Sequence, residues 1–321
     1  MSAPPRQSSW LAPVPPTVAI EIAAGRVTVA ELSGGSGGAV VSAFASESIP
    51  ANAVVPALTG TNIADVAGVS DALRRALERA GLGSPRRAAL VVPDSVARVS
   101  LLNFEQLPGR ASDLDQLIRW QLRKATPFPL DDAQVSHFKA SADGGATTLA
   151  AVIARKDVIA QYESVTTRLG IHAGVVDLAS FNVMNAVIGA RSAPAEDWLL
   201  VCLAADATTI AIMRGEQLMF YRHRTAVDEE PLSALVHQTA MYHEDRLGGT
   251  RFARVWLAGA SLAGGNAAQA RREITDRLNV PAEAVDVRPA AGLPSQVSPL
   301  PDIMDALAAP VGVLLRERRA A

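Results

Sequence analysis

The chain has 321 residues, 49% of them hydrophobic, with 30 basic side chains against 32 acidic ones and a single cysteine. At roughly 150 residues per domain the length suggests two domains and ample core. A net charge of −2 argues against a nucleic-acid module, which needs a basic face for phosphates. One cysteine can form neither an internal disulfide nor a cysteine-based zinc site, which suits a reducing cytosol. Only Lys124, Lys139 and Lys156 are lysines. No Gly-Lys pair exists, so a standard phosphate-binding P-loop is excluded, and no Gly-x-Gly-x-x-Gly occurs either.

Residues 1–16 are rich in Pro and Ser and lack a basic stretch followed by an apolar one, so they read as a disordered leader, not a signal peptide. Apolar runs stop short of the roughly 18 to 20 residues of a membrane span; Ala306–Leu315, for example, ends at Arg316. The leader is followed by three predicted strands, Val18–Ile22, Val27–Leu32 and Ala39–Ile49, separated by glycine-bearing turns. The loop Gly34-Gly-Ser-Gly-Gly38 matches the Gly-x-Ser-x-Gly of a hydrolase elbow, but an elbow turns a strand into a helix. This one joins two strands and reads as a hairpin loop. Val66, Val69, Leu73 and Leu77 predict a helix over Asn62–Ala80, stopped by Gly81, and Ala88–Val92 is a wholly apolar strand.

A strand at Val96–Phe104 leads to a helix on which Leu114, Leu117, Ile118, Leu122 and Ala125 form one stripe, with Ser112 and Asp115 as a capping pair. Strands Ala133–Ala140 and Thr147–Ala154 and a helix at Lys156–Leu169 complete a small α+β unit. A strand at His172–Asp177, with Asp177 either facing a cleft or capping the next element, precedes a helix at Leu178–Ala190 and a polar hinge at Arg191–Asp197. The opening pattern then returns as strands Trp198–Leu203, Thr208–Arg214 and Gln217–Arg224 and a helix at Pro231–Leu247. Strand Val255–Ala258, helix Ala267–Asn279, strand Ala284–Val287 and helix Asp302–Glu317 finish the chain. His237 and His243 lie about 240° apart around their helix and do not converge on a metal; His243 shares a face with Val236, Ala240 and Leu247 and reads as a core histidine.

Laying Glu21 on Cys202 aligns Ala23, Ala24, Thr28 and Ala30 with Ala204, Ala205, Thr209 and Ala211. Two copies of a three-strand meander followed by a helix, joined by a hinge, form the plan of the actin-like fold: α/β, ribonuclease H-like and duplicated, with a small α+β insert. The expected division is a leader at 1–16, a first lobe at 17–93 and 171–192, an insert at 94–170, a second lobe at 193–317 and a tail at 318–321.

The order and several local phrases resemble the PilM family, actin-like cytoplasmic proteins of type IV pilus assembly related to the cell-division protein FtsA. The phrases are the opening strand pair from Val18 to Leu32, Ile118-Arg-Trp-Gln121 followed by Pro127-Phe-Pro129, Val176-Asp-Leu-Ala-Ser-Phe-Asn-Val183, and Gly215-Glu-Gln-Leu-Met-Phe-Tyr-Arg222. They run collinearly over about Val18–Leu315. The resemblance implies a cytoplasmic protein held at the inner membrane through a partner, without inserting into the membrane itself. It also implies a groove between first lobe and insert that clamps the cytoplasmic tail of a PilN-like membrane protein. Phe104, Trp120, Phe128 and Phe138 are the large insert side chains that could line it, most of them being expected in the core. Other pilus assembly components are further implied partners, self-association is left open, and no nucleic acid is expected.

The same alignment places a nucleotide cleft at Glu21, Ala24, Gly25, Cys202, Ala205 and Gly259, in degenerate form. Glu21 keeps a carboxylate, but the usual neighbouring glycine is Ala23. The second loop's usual Asp-x-Gly reads Cys202-Leu-Ala204, and a neutral thiol cannot hold Mg²⁺, which prefers oxygen ligands. Of the expected Gly-Gly pair on the adenosine side only Gly259 remains. Three elements eroded together argue for a non-catalytic scaffold. No cofactor is expected, Mg-ATP being the one candidate the fold leaves open. The alternatives are an active actin-like ATPase or kinase, with Asp206 replacing the missing acid, and the cytoplasmic half of a GspL-like type II secretion protein.

Overall fold

A computed structural model describes residues 15–35, 38–143, 145–228, 230–294 and 297–320. All but the last two residues of the expected leader lie outside these, as do the middle of the glycine hairpin loop and Gly144. The first sheet has the order β3-β2-β1-β4-β8, from β1 (Val18–Ala23), β2 (Arg26–Gly35), β3 (Gly38–Ser48), β4 (Arg87–Val92) and β8 (His172–Leu178). β1 pairs antiparallel with β2 and parallel with β4. The second sheet repeats this order as β11-β10-β9-β12-β13, from β9 (Asp197–Leu203), β10 (Ala207–Arg214), β11 (Gln217–Thr225), β12 (Arg254–Ala258) and β13 (Ala282–Ala284). Register repeats as well. Glu21 stands opposite Thr28 in the first hairpin and Cys202 opposite Thr209 in the second. This is the two-lobe actin-like plan.

The insert is a three-stranded antiparallel sheet, β5-β7-β6, built from β5 (Ala97–Phe104), β6 (Ala133–Asp143) and β7 (Ala146–Arg155). Helix α2 (Ala111–Leu122) covers it through Ile118 and Leu122, which pack with Phe104 and Leu149. Ser112 does not cap α2. The cap position is Arg110, without a side-chain bond, while Ser112 turns to Asp113 and Asp115 pairs with Arg119 at 2.8 Å. Short polar residues in a first turn compete for one another as readily as for the backbone. Helix α1 (Val66–Arg79) starts four residues later than its apolar spacing suggests, because Asp65 accepts from the Gly68 amide and Ile63 is drawn into a bridge with Val54. α3 (Lys156–Thr167) follows the insert. β13 lies at 282–284 and not 284–287, since its parallel pairing with β12 begins at Ala282 opposite Val255.

Alternation along β9 divides the interior. Trp198 and Leu200 join the large core shared with the first sheet, while Leu199 and Val201 face a second core under α5 (Leu232–Leu247) and α6 (Ala267–Leu278). The last helix is α7 (Pro301–Ala320). It crosses back to lie on β1, β2 and β4 and beside α4 (Ala179–Gly189), so in space it belongs to the first lobe. Periodicity reveals an apolar face but not which sheet that face will cover. Arg316 pairs with Asp177 and Glu317, and Arg318 donates to the carbonyls of Leu32 and Ser33, so the basic tail closes the fold. Among the described residues no helix is long and apolar enough to cross a membrane.

Candidate functional site

Ligand sites in open α/β sheets lie beyond the carboxyl ends of parallel strands, where the chain leaves the sheet. A cleft of about 440 Å³ sits there, between the lobes. The β1–β2 and β9–β10 hairpins face each other across it, and the segments after β4, β8 and β12 contribute Asp94, Ser180 and Gly259. Glu21, Ala24, Gly25, Cys202, Ala205 and Gly259 all line this one cavity.

Its charged groups are committed to protein partners. Glu21 accepts from Arg26 at 2.8 Å. Asp94 accepts from the amide and hydroxyl of Ser180 at 3.1 and 2.9 Å and from Thr209 at 2.8 Å. Asp206 accepts from the Ser95 hydroxyl at 3.0 Å. His223 bridges Thr209 and Ser95 through its two ring nitrogens, at 2.9 and 3.2 Å. Asp305, arriving on α7, accepts from the amides of Gly259 and Ser261 at 2.7 and 2.9 Å. Gly259 itself has φ +76°, and a Cβ there would lie 2.0 Å from the Leu203 carbonyl oxygen, so glycine is required for this turn. Burial pushes the Cys202 thiol well above its ordinary range, and the carboxylates of Asp94 and Asp305 push the same way. Among the described residues no three His, Cys, Asp or Glu side chains are placed to hold a metal ion.

Asp94, Ser95, Ser180, His223 and Asp305 were not singled out from the sequence for this cleft. Asp94 and Ser180 carry a partial signal, lying two and three residues beyond the ends of the predicted strands Ala88–Val92 and His172–Asp177. Asp305 carried none, as it depends on where α7 docks.

A second cavity, of about 550 Å³, lies between the insert and the first lobe, with Met213, Glu216 and Leu218 of the second lobe also lining it. Residues 136–140 of β6 and 176–178 of β8 flank it, and both strands are sheet edges. An edge strand that contributes consecutive residues presents its backbone along with both faces. Phe181, Met184 and Ile188 of α4 form an apolar side, and Lys139, Arg316 and Arg319 are among its lining residues. Asp177 faces this cavity, not the interlobe cleft, and is not the cap residue of α4. Burial raises its pKa above the ordinary carboxylate range, against the opposing pull of Arg316.

Of the four insert aromatics only Phe138 lines this groove, 43% exposed and edge-on to Phe181 at 5.3 Å between ring centroids. Phe104 and Phe128 are buried in the insert's own cores, and Trp120 projects from α2, 70% exposed, outside the groove lining. Trp120 is two residues from both Ile118 and Leu122, about 200° around the helix, so helical spacing itself sets it opposite the buried stripe.

A chain of a PilM–PilN type IV pilus biogenesis complex is 16% identical and superposes with a TM-score of 0.78, covering 94% of this chain and 98% of its own. The cytoplasmic domain of EpsL, an inner-membrane component of the type II secretion system of Vibrio cholerae, is 10% identical with a TM-score of 0.50, covering 95% and 94%. The family model for the type IV pilus assembly protein PilM matches residues 19–244. With well over half of its length matched by that model, the chain belongs to the PilM family of type IV pilus assembly proteins.

Proposed function

We propose that the protein is a non-catalytic cytoplasmic scaffold of a type IV pilus, or related secretion, inner-membrane platform. It grips the cytoplasmic tail of a PilN-like membrane protein and is held at the inner membrane through it. The observation that carries this reading is the agreement in fold, over nearly the whole chain, with a chain of a PilM–PilN complex. The groove supports it: two strand edges and an apolar wall suit an extended peptide, held by main-chain hydrogen bonds with side chains in pockets. Phe138 is the insert aromatic that meets that peptide.

The interlobe cleft is the degenerate remnant of a nucleotide site, and its residues do not fit a magnesium nucleotide. Phosphates need backbone amides or cations, and Mg²⁺ needs carboxylate oxygens. Here Asp305 takes the Gly259 and Ser261 amides, Arg26 takes Glu21, and an uncharged thiol stands at Cys202.

Calorimetry separates this reading from an actin-like ATPase. Synthetic cytoplasmic tails of PilN-like proteins are expected to bind with dissociation constants of about 1–10 µM. Binding should weaken at least tenfold in Phe138→Ala, while Mg-ATP gives no heat. Micromolar Mg-ATP binding with turnover, or indifference to every tail, overturns it.

A further inference from the structure

Trp120 is the most exposed aromatic ring among the described residues, 70% open to solvent on the outer face of α2. Ile118 and Leu122 hold the helix on its sheet from the opposite side, so packing of the insert does not use the indole. The C-cap, Arg123, keeps helical dihedrals, which sets Arg123 and Lys124 on either side of the ring, one turn on. Both are exposed, and among the described residues neither side chain makes an ion pair or a hydrogen bond. The acids of α2 are engaged elsewhere. Asp115 pairs with Arg119 at 2.8 Å, and Asp113 accepts from Ser112 at the N-terminal end, where the helix dipole favours a carboxylate.

A cation at a helix C-terminus complements the dipole, which accounts for Arg123 and Lys124 taken alone. It does not account for a large apolar ring left in water between them, since burial of such a ring is favourable. An aromatic ring with a polar edge, set amid cations, is the composition of a contact at a membrane–water interface. A protein partner is a poorer match. It needs roughly 800 Å² on each side around a buried apolar centre, and this face offers one ring bordered by Gln116, Arg123 and Lys124. Leu107, the insert's exposed leucine, stands before the opposite end of the helix.

We infer that the C-terminal end of α2 is a lipid-surface contact, with Trp120 among the headgroups of an anionic membrane and Arg123 and Lys124 against their phosphates. The contact stays at the surface, as no helix among the described residues is long and apolar enough to cross. Two cations near an anionic leaflet are worth about fivefold each, so the contact is weak alone and depends strongly on salt. It becomes effective when a second attachment holds the insert at the membrane, and under the proposed function the tail in the adjoining groove supplies that attachment. Only this last step rests on that reading; the contact itself is a property of α2.

Sedimentation of the full chain with vesicles at millimolar lipid tests the inference without any tail. Vesicles of phosphatidylcholine with about 30% phosphatidylglycerol are expected to retain the protein, and phosphatidylcholine alone is not. Partitioning should fall at least tenfold in Trp120→Ala and in the double variant Arg123→Glu with Lys124→Glu. It should vanish in the wild type as salt rises from about 50 to about 300 mM. All three side chains are exposed, so the variants are expected to keep the wild-type melting temperature. Met241→Ala, which removes an exposed apolar side chain from α5, leaves partitioning unchanged. The difference in tryptophan emission between wild type and Trp120→Ala should move to shorter wavelength on anionic vesicles, as the indole leaves water. Absence of binding to anionic vesicles, or partitioning that either variant leaves unchanged, overturns the inference. Self-association that Trp120→Ala abolishes, with no vesicle binding, assigns the face to a second copy and overturns it too. Tails that do not bind refute the proposed occupant of the groove and leave this result standing.

Discussion

Replacing Gly312 by alanine is expected to destabilise the protein by about 3 kcal/mol, at the upper end of the overpacking range. A Cβ at this position would lie 1.7 Å from the carbonyl oxygen of Asn182, 2.6 Å from its carbonyl carbon and 3.1 Å from the amide nitrogen of Ala186. All three are backbone atoms of α4, so no side chain can rotate away and the two helices must separate. The apolar face of α7 spans Met304 to Leu314, and all of it is buried, so separation exposes core along the helix. Pro310, two residues earlier, already costs the helix a hydrogen bond, which leaves less local stability to absorb the strain. Gly292→Ala is the matched control. Its Cβ would meet only Val40 at 3.8 Å, an ordinary contact, and the expected change is within about 0.5 kcal/mol. Thermal melts check both: at about 2–4 °C per kcal/mol the Gly312 variant falls by roughly 10 °C and the control hardly moves. Equal melting temperatures would mean that α7 is not seated against α4.

This dependence on α7 also marks where the sequence stopped being informative. The repeated meander was legible because strand alternation and turn residues are local, and the pairing of Glu21 with Cys202 by sequence alone matches the ladder register of both hairpins. Position in the hairpins therefore places Glu21, Ala24, Gly25, Cys202 and Ala205 at one cavity, and Gly259, at the end of β12, joins them there. Their partners were not local. Arg26 lies five residues from Glu21 and could have been suspected, but Asp305 reaches Gly259 across 46 residues and through a helix whose docking face no periodicity specifies. Likewise the three insert phenylalanines look alike in sequence, while Trp120 alone stands opposite the apolar stripe of its helix. Whether each phenylalanine is core or groove depends on the face each element turns to its neighbour, so Phe104 and Phe128 went to the insert's cores and Phe138 to the groove. What could be read was the plan and the address of the cleft; what could not was the long-range pairing that occupies it.

The second large effect is expected in the second lobe, from Asp197→Ala. Asp197 opens β9 with its carboxylate gripped by Arg214 on both oxygens, at 2.6 and 2.9 Å, and by His243 Nε2 at 2.7 Å. Such a bidentate, charge-assisted arrangement is among the stronger polar contacts. His243 is 3% exposed and stacked on Phe252, so losing its acceptor strands a buried polar ring, whereas Arg214 is 41% exposed and also donates to the Leu247 carbonyl at 3.3 Å. Breaking a buried pair costs about 3–5 kcal/mol, and the exposure of Arg214 places this case near the lower end. The pH dependence identifies the cause. The Arg214 hydrogen bond, against the opposing effect of burial and with help from His243, holds the Asp197 carboxyl below its ordinary range. A lowered folded value gives stability that is complete above the ordinary carboxylate value near pH 4 and is lost as pH falls through the folded value. The gap between wild type and Asp197→Ala in denaturant midpoint should therefore shrink from neutral pH to about pH 3. Asp177 has the opposite sign: burial raises its folded value, so its contribution is present in acid and lost as pH rises through that value. Asp177→Asn should accordingly cost much less at neutral pH than Asp197→Ala, since it removes a charge that burial disfavours. A gap for Asp197→Ala that stays constant or widens in acid would show that the aspartate supports the lobe by shape and not by charge.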